Sequence, residues 1–268
     1  MLGSDGVART RPERRQEALP DLVAHRGWTA RFPENTLGAL EGAIGAGARF
    51  VEVDVQITAD GRPVLFHDRT LDRLCGVSGA IHERTMAELA SLSCAERGRF
   101  GDRFLSTRIA ELRGLVELLE GSAEVFAFVE IKRLAIERVG SEAVLDRVLP
   151  VLEPVRARVA LISFSLPFLA LARARTELPL GAVFDRFAES ETAEARELAP
   201  EFVFCDVDGL PRKGALDAGG ARLAVYEVAE PKLALELAAR GVDLVETFEI
   251  GEMLSALHGA KARETRAP

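Results

Sequence analysis

The chain is short of the features that mark many function classes. Cys75, Cys94 and Cys205 are its only cysteines, an odd number with no two at metal-ligand spacing. That count does not fit a disulfide framework, and it points to a reducing compartment. No apolar run approaches the ~20 residues of a membrane helix. Residues 1–20 are rich in Arg and Glu, with no apolar stretch of signal-peptide length. The expectation is a cytoplasmic protein with a polar N-terminal tail over 1–20 and no stable membrane insertion. Basic residues are not in excess: 34 Lys and Arg face 42 Asp and Glu, a net charge of −8. This balance speaks against a nucleic-acid partner. It leaves an anionic substrate open, because a bound metal can reverse the local field. There is no Gly-x-Ser-x-Gly elbow, no Gly-x-x-x-x-Gly-Lys loop, no His-Glu-x-x-His helix and no Gly-x-Gly-x-x-Gly. Internal repeats and low-complexity segments are also missing.

What is present is a regular alternation. Short β-type runs occur at Leu22–His25, Phe50–Ile57, Val125–Lys132, Arg158–Ser163, Leu180–Phe184, Phe202–Cys205, Arg222–Glu227 and Val242–Thr247. Helix-period segments lie between them, at Asn35–Gly47, Ala110–Leu119, Ile136–Leu149, Ser165–Thr176, Glu191–Leu198 and Lys232–Arg240. Strand–helix alternation signals βαβ units and a parallel sheet. About eight units in 268 residues, 48% of them hydrophobic, predict a closed TIM-type (β/α)₈ barrel rather than an open doubly wound sheet. Asp60-Gly61 predicts a hairpin joining Val51–Ile57 to Pro63–Phe66. The stretch from about 69 to 107 is too long for a simple loop and reads as a lid or small insertion after strand two. The barrel domain is expected over 21–260, with a polar tail at 261–268. The oligomeric state is open.

Four strand ends carry chemistry. In Phe50-Val-Glu-Val-Asp-Val-Gln-Ile, Glu52 and Asp54 share one face and Val51, Val53 and Val55 the other. Barrel strands are buried on both sides, so two such carboxylates repel and lose solvation. A divalent cation would remove that cost. An exposed edge or a buried Arg would remove it too. Glu130 and Lys132 share a face in Phe126-Ala-Phe-Val-Glu-Ile-Lys, as a third ligand with a phosphate-binding cation or as a plain ion pair. Lysine is otherwise found only at 213, 232 and 261. His25 and His67 end predicted strands, at the rim that carries the active site in barrels of this type. Two strand-end histidines beside carboxylate pairs suggest acid–base work. His82 and His258 read as surface residues.

These residues together resemble the glycerophosphodiester phosphodiesterase family. The resemblance runs through His25-Arg26-Gly27, Pro33-Glu34-Asn35-Thr36, Glu52-Val-Asp-Val and Thr58-Ala-Asp-Gly-Arg-Pro-Val-Leu-Phe-His-Asp68. It continues in Leu71-Asp72-Arg73, Glu130-Ile-Lys132 and Ser163-Phe164. It implies a TIM barrel with an insertion after strand two. It implies one divalent metal, Mg²⁺ or Ca²⁺, on Glu52, Asp54 and Glu130, and His25 and His67 as the acid–base pair. Arg26 and Lys132 would serve the phosphate, and Glu34 and Asn35 would support the site. Asn35 also reads as a plain helix cap. The implied reaction hydrolyses a glycerophosphodiester to glycerol 3-phosphate and an alcohol. Another phosphodiester such as a lysophospholipid, or a silent phosphodiester-binding protein, are the alternatives. Where the family often has Trp-Thr-Val-Asn and Thr-Asp-x-Pro at strands seven and eight, this chain has Tyr226-Glu-Val-Ala229 and Thr247-Phe248-Glu-Ile250. Tyr226, Ala229 and Phe248 are therefore expected to form an altered wall for the leaving alcohol.

Overall fold

The structure, a computed structural model, describes residues 19–264. The polar tails expected at 1–20 and 261–268 fall outside the described residues at 1–18 and 265–268. Leu19 packs on the core and Pro20 is buried.

Eight parallel strands close into a barrel. They are β1 (Asp21–Ala24), β2 (Phe50–Ile57), β4 (Phe126–Ile131), β5 (Val159–Ser163), β6 (Leu180–Phe184), β7 (Phe202–Asp206), β8 (Arg222–Tyr226) and β9 (Leu244–Thr247). β1 pairs with β2 on one side and β9 on the other, which completes the ring. The extra strand β3 (Pro63–Leu65) pairs antiparallel with β2, with Gln56 opposite Val64, as the Asp60-Gly61 turn predicts. Helices α1 (Leu37–Gly45), α5 (Leu112–Glu120), α6 (Arg133–Val139), α7 (Ser141–Leu152), α8 (Leu166–Arg175), α9 (Ala193–Leu198), α10 (Pro231–Arg240) and α11 (Ile250–Glu264) connect or follow the strands. The segment expected as one helix over Ile136–Leu149 is two. Gly140 stands between α6 and α7 at φ +86°, a left-handed conformation that a continuous helix cannot contain.

Alternation along β2 sorts its side chains as expected. Val51, Val53 and Val55 join the outer apolar cluster that includes residues of α1, α5 and α7, while Phe50 joins the barrel interior. The interior is filled by Val23, Phe128, Ile162, Val183, Phe204 and Leu244 among others. Above that plug, toward the strands' C-terminal ends, the inward positions turn polar: His25, Glu52, Asp54, Glu130 and Glu246 are all buried.

The insertion is a small folded element. It contains α2 (Asp72–Cys75), α3 (Met86–Leu89) and α4 (Arg97–Phe100) around its own apolar cluster of Phe66, Leu71, Leu74, Ile81, Leu89 and Cys94. That cluster holds the chain after β3 against the barrel rim.

Candidate active site

The first turn after β1 sets the site. His25 N–H donates to the Thr247 carbonyl, so His25 leaves the sheet at the β1–β9 seam. Arg26 and Gly27 then take left-handed conformations, at φ 58° and 85°. Gly27 lies so close to α1 that a Cβ would sit 2.7 Å from Ala39. This tight turn aims both His25 and Arg26 into the cleft. His25 stacks on Phe248, with ring centroids 4.6 Å apart and planes 11° from parallel. Its Nε2 lies 3.8 Å from Glu52, and its buried Nδ1 has no partner. Burial, helped by Arg26, pushes the imidazolium well below the ordinary histidine value. His25 is therefore neutral near pH 7 and can accept a proton.

Glu52, Asp54 and Glu130 converge as the alternation requires. One oxygen from each lies within 4.8 Å of the others. Lys132 Nζ is 3.1 Å from Asp54 and 2.7 Å from Glu130. Arg26 Nε is 3.1 Å from Asp54 Oδ2, an ionic contact without hydrogen-bond alignment. Burial works against the Asp54 carboxylate, but Lys132 and Arg26 overcome it and hold it well below the usual range. Glu52 goes the other way, raised by burial and by repulsion from Asp54, Glu246 and Glu130. Glu52 Oε1 is buried with no partner. An all-oxygen donor set of mutually repelling carboxylates, with one orphaned oxygen, fits a hard divalent cation.

Asn35 is not the helix cap. Thr36 caps α1, accepting from Ala39 N–H. That frees Asn35 to clamp Asp54, donating from Nδ2 to Oδ2 at 2.8 Å and accepting from the Asp54 N–H at 3.0 Å. Glu34 receives Arg26 at 3.2 Å and both terminal nitrogens of Arg73.

Sequence alone assigns no role to Arg73 or Asp68. Arg73 makes a two-point contact with Asp68, at 2.7 and 2.8 Å, and also reaches Glu96. Asp68 faces His67 Nδ1 at 3.0 Å. Burial would raise the Asp68 carboxyl, yet bonds from His67 and Arg73 hold it well below the usual range. An ionised Asp68 keeps a proton on Nδ1 and orients the ring. Glu34, His67 and Asp68 could also group around an ion, but Arg73 already fills that space. Gln56 donates to the carbonyls of Phe66, His67 and Asp68, fixing this segment to β2.

The cleft spans about 150 Å³. His25, Arg26, Glu52, His67, Glu130 and Lys132 line one side. Asp185, Asp206, Tyr226 and Glu227 line the cleft from β6 to β8, with Phe164 and Phe204, while Glu246 on β9 stands beside β1. Of the expected alcohol wall, Tyr226 lines the cleft, and its hydroxyl donates to the Phe184 carbonyl. Phe248 backs His25. Ala229 is exposed and outside the lining, and Glu227, two residues earlier, takes that place.

The profile of the glycerophosphoryl diester phosphodiesterase family matches residues 25–249. The chain belongs to that family. Among relatives, it is 37% identical over 111 residues to a glycerophosphodiester phosphodiesterase of Caldanaerobacter subterraneus, covering 41% of this chain and 44% of that protein. It is 41% identical over 121 residues to a probable glycerophosphodiester phosphodiesterase 1 of Mycobacterium tuberculosis, covering 42% and 43%. The matched stretch thus spans less than half the length of these relatives. Among solved structures, the fold resembles an Oleispira antarctica phosphodiesterase bound to the product sn-glycerol 3-phosphate. The TM-score is 0.78 and identity 24%, over 90% of this chain and 97% of that one.

Proposed function

We propose that this protein hydrolyses a glycerophosphodiester to glycerol 3-phosphate and an alcohol. One observation carries the reading: two histidines in unlike settings flank three buried carboxylates at one barrel rim, in a chain of this family. His25, neutral and unpartnered at Nδ1, is the base that takes the proton of the attacking hydroxyl, from water or from the substrate. His67, oriented by Asp68, gives a proton to the departing alkoxide. Arg26 and Lys132 hold the phosphate oxygens through charge-assisted hydrogen bonds. Glu52, Asp54 and Glu130 would hold one Mg²⁺ or Ca²⁺, with Asn35 and Glu34 keeping Asp54 and Arg26 in place. When bound, that ion would neutralise charge on the phosphoryl oxygens.

A lysophospholipid is the second reading. A groove of about 890 Å³ between α6, α8 and α9 meets the cleft at Phe164; Ile136, Leu166, Pro167, Ala170 and Leu198 line it, together with the charged Arg133, Glu137, Arg173, Glu194 and Glu197. Its apolar part suits an acyl chain. The odd count of three cysteines supports a cytoplasmic setting. No helix of the described residues is long and apolar enough to cross a membrane.

The test is product analysis on a panel of glycerophosphodiesters and lysophospholipids, with Mg²⁺ and with Ca²⁺. Glycerol 3-phosphate release from the small diesters is expected. Dominant turnover of the lysophospholipids would move the assignment to the second reading. Binding without turnover would make the protein a silent receptor.

A further inference from the structure

Arg73 belongs to the insertion, on α2, flanked by Leu71 and Leu74, which are buried in the insertion's apolar cluster. Its guanidinium uses all five of its N–H donors. Nε and Nη2 donate to Asp68, Nη1 and Nη2 to Glu34, and Nη1 also to Glu96, at 2.7 to 3.2 Å. Nη2 by itself bridges Asp68 Oδ1 and Glu34 Oε1. Asp68 Oδ1 is the oxygen that faces His67 Nδ1, and Glu34 Oε1 is the oxygen that receives Arg26 Nη1. One unbroken line of polar contacts therefore runs from His67 through Asp68, Arg73 and Glu34 to Arg26.

Neutralising buried charge does not explain this arrangement. Glu34 and Glu96 are 5% and 3% exposed, yet Arg26 already serves the first and Arg99 the second. Among the described residues, Arg73 is the one Lys or Arg that reaches Asp68. Joining Asp68 to Glu34 is what Arg73 alone does. A lysine, with a compact head and three donors, could not span these three carboxylates. Glu96 steadies the fork from behind. It holds a left-handed φ of 46°, and its N–H donates to the Leu74 carbonyl, next to Arg73 in the chain.

We propose that Arg73 is a positioning residue that aligns the general acid with the phosphate-binding cation, fixing the His67 ring through Asp68 and the Arg26 guanidinium through Glu34. This rests on the phosphodiesterase reading above. The insertion after β2 thereby supplies part of the catalytic geometry instead of only covering the rim.

The test uses the metal-loaded full-length protein and two glycerol phosphate diesters, one with an alkyl and one with an acidic aryl leaving group. Losing the fork loosens Arg26, which both esters need, and His67, whose proton only the alkyl ester needs. Arg73→Met should lower kcat/KM for the alkyl ester by roughly 10- to 100-fold more than for the aryl ester, the usual cost of removing an outer support. Asp68→Ala should show the same selective loss, and adding Arg73→Met to it should not deepen that selectivity, because both act through one contact. Equal losses of Arg73→Met on the two esters, as a purely structural role predicts, overturn the proposal. Selectivities that multiply in the double variant overturn it too. If Arg73→Met does not fold, Arg73→Lys keeps the charge without the fork and should still shift the alkyl-to-aryl ratio by about threefold or more; an unchanged ratio overturns the proposal. No turnover of either ester by wild type sinks the phosphodiesterase reading instead. Arg73 is then judged by nitrogen NMR of the neutral His67 ring, its signals assigned with His67→Gln. A ring protonated at Nδ1 in wild type that becomes a mixture of tautomers in Arg73→Met supports the proposal, and the same tautomer in both overturns it.

Discussion

Asp68 is the residue that separates the two histidines. His67 has a carboxylate behind its Nδ1, and His25 has an aromatic ring against its face and an unpartnered nitrogen. Replacing either with Ala should cost roughly 10²–10⁴-fold with an alkyl leaving group. Loss of His67 should matter far less with an acidic aryl leaving group, which departs without a proton. Equal losses on both substrates would argue against this division. Asp68 also links to stability. Its folded pKa is depressed, so its contribution is present above the unfolded value near 4 and lost as pH falls toward the folded one. The Tm gap between wild type and Asp68→Asn should therefore be widest near pH 7 and close below about pH 4. A gap independent of pH would contradict it. Lys132 poses a separate question, because it pairs with Asp54 and Glu130. Lys132→Met should lose on the order of 3 kcal/mol without metal, as a broken buried pair does. Saturating Mg²⁺ or Ca²⁺ should restore most of that while activity stays low. If metal leaves the Tm unchanged, Lys132 is purely structural.

At the scale of elements, β2 and the turns around it organise the chemistry. Its alternation was legible in sequence, because Glu52 and Asp54 recur on one face of an eight-residue run whose other face, Val51, Val53, Val55 and Ile57, is apolar. Asn35 showed two possible roles, and only the Thr36 cap decides between them. Glu246 stayed hidden. A lone carboxylate in Leu-Val-Glu-Thr gives no pairing signal, and its neighbours Glu52 and Glu130 are remote along the chain. The wall at Ala229 was displaced for a related reason: Glu227 reaches the cleft through a left-handed residue that strand periodicity does not contain. The turn after β1 tolerates no side chain at Gly27. Gly27→Ala combines a left-handed backbone with a clash on Ala39, and should cost about 2–4 kcal/mol. A thermal melt within a degree of wild type would show that the turn is slack.

At the scale of the molecule, barrel closure does what sequence proximity cannot. It brings His25, just after the first strand, beside Thr247 on the last, so that residues from both ends of the chain share one rim. The eight strands were readable because a barrel's strands are buried on both faces. The tertiary pairings that define the cleft were not readable from periodicity. The same closure gathers buried carboxylates whose mutual repulsion no side chain fully relieves. That is the physical reason to expect a metal ion here. The decisive measurement is therefore hydrolysis of a glycerophosphodiester by protein stripped of metal, then titrated with Mg²⁺ or Ca²⁺, in wild type and in Glu52→Gln. Stripped wild type should be inactive and recover with about one equivalent of bound ion, while Glu52→Gln should neither bind that ion tightly nor recover. Full turnover after exhaustive chelation, or in Glu52→Gln, would contradict the metal-dependent mechanism.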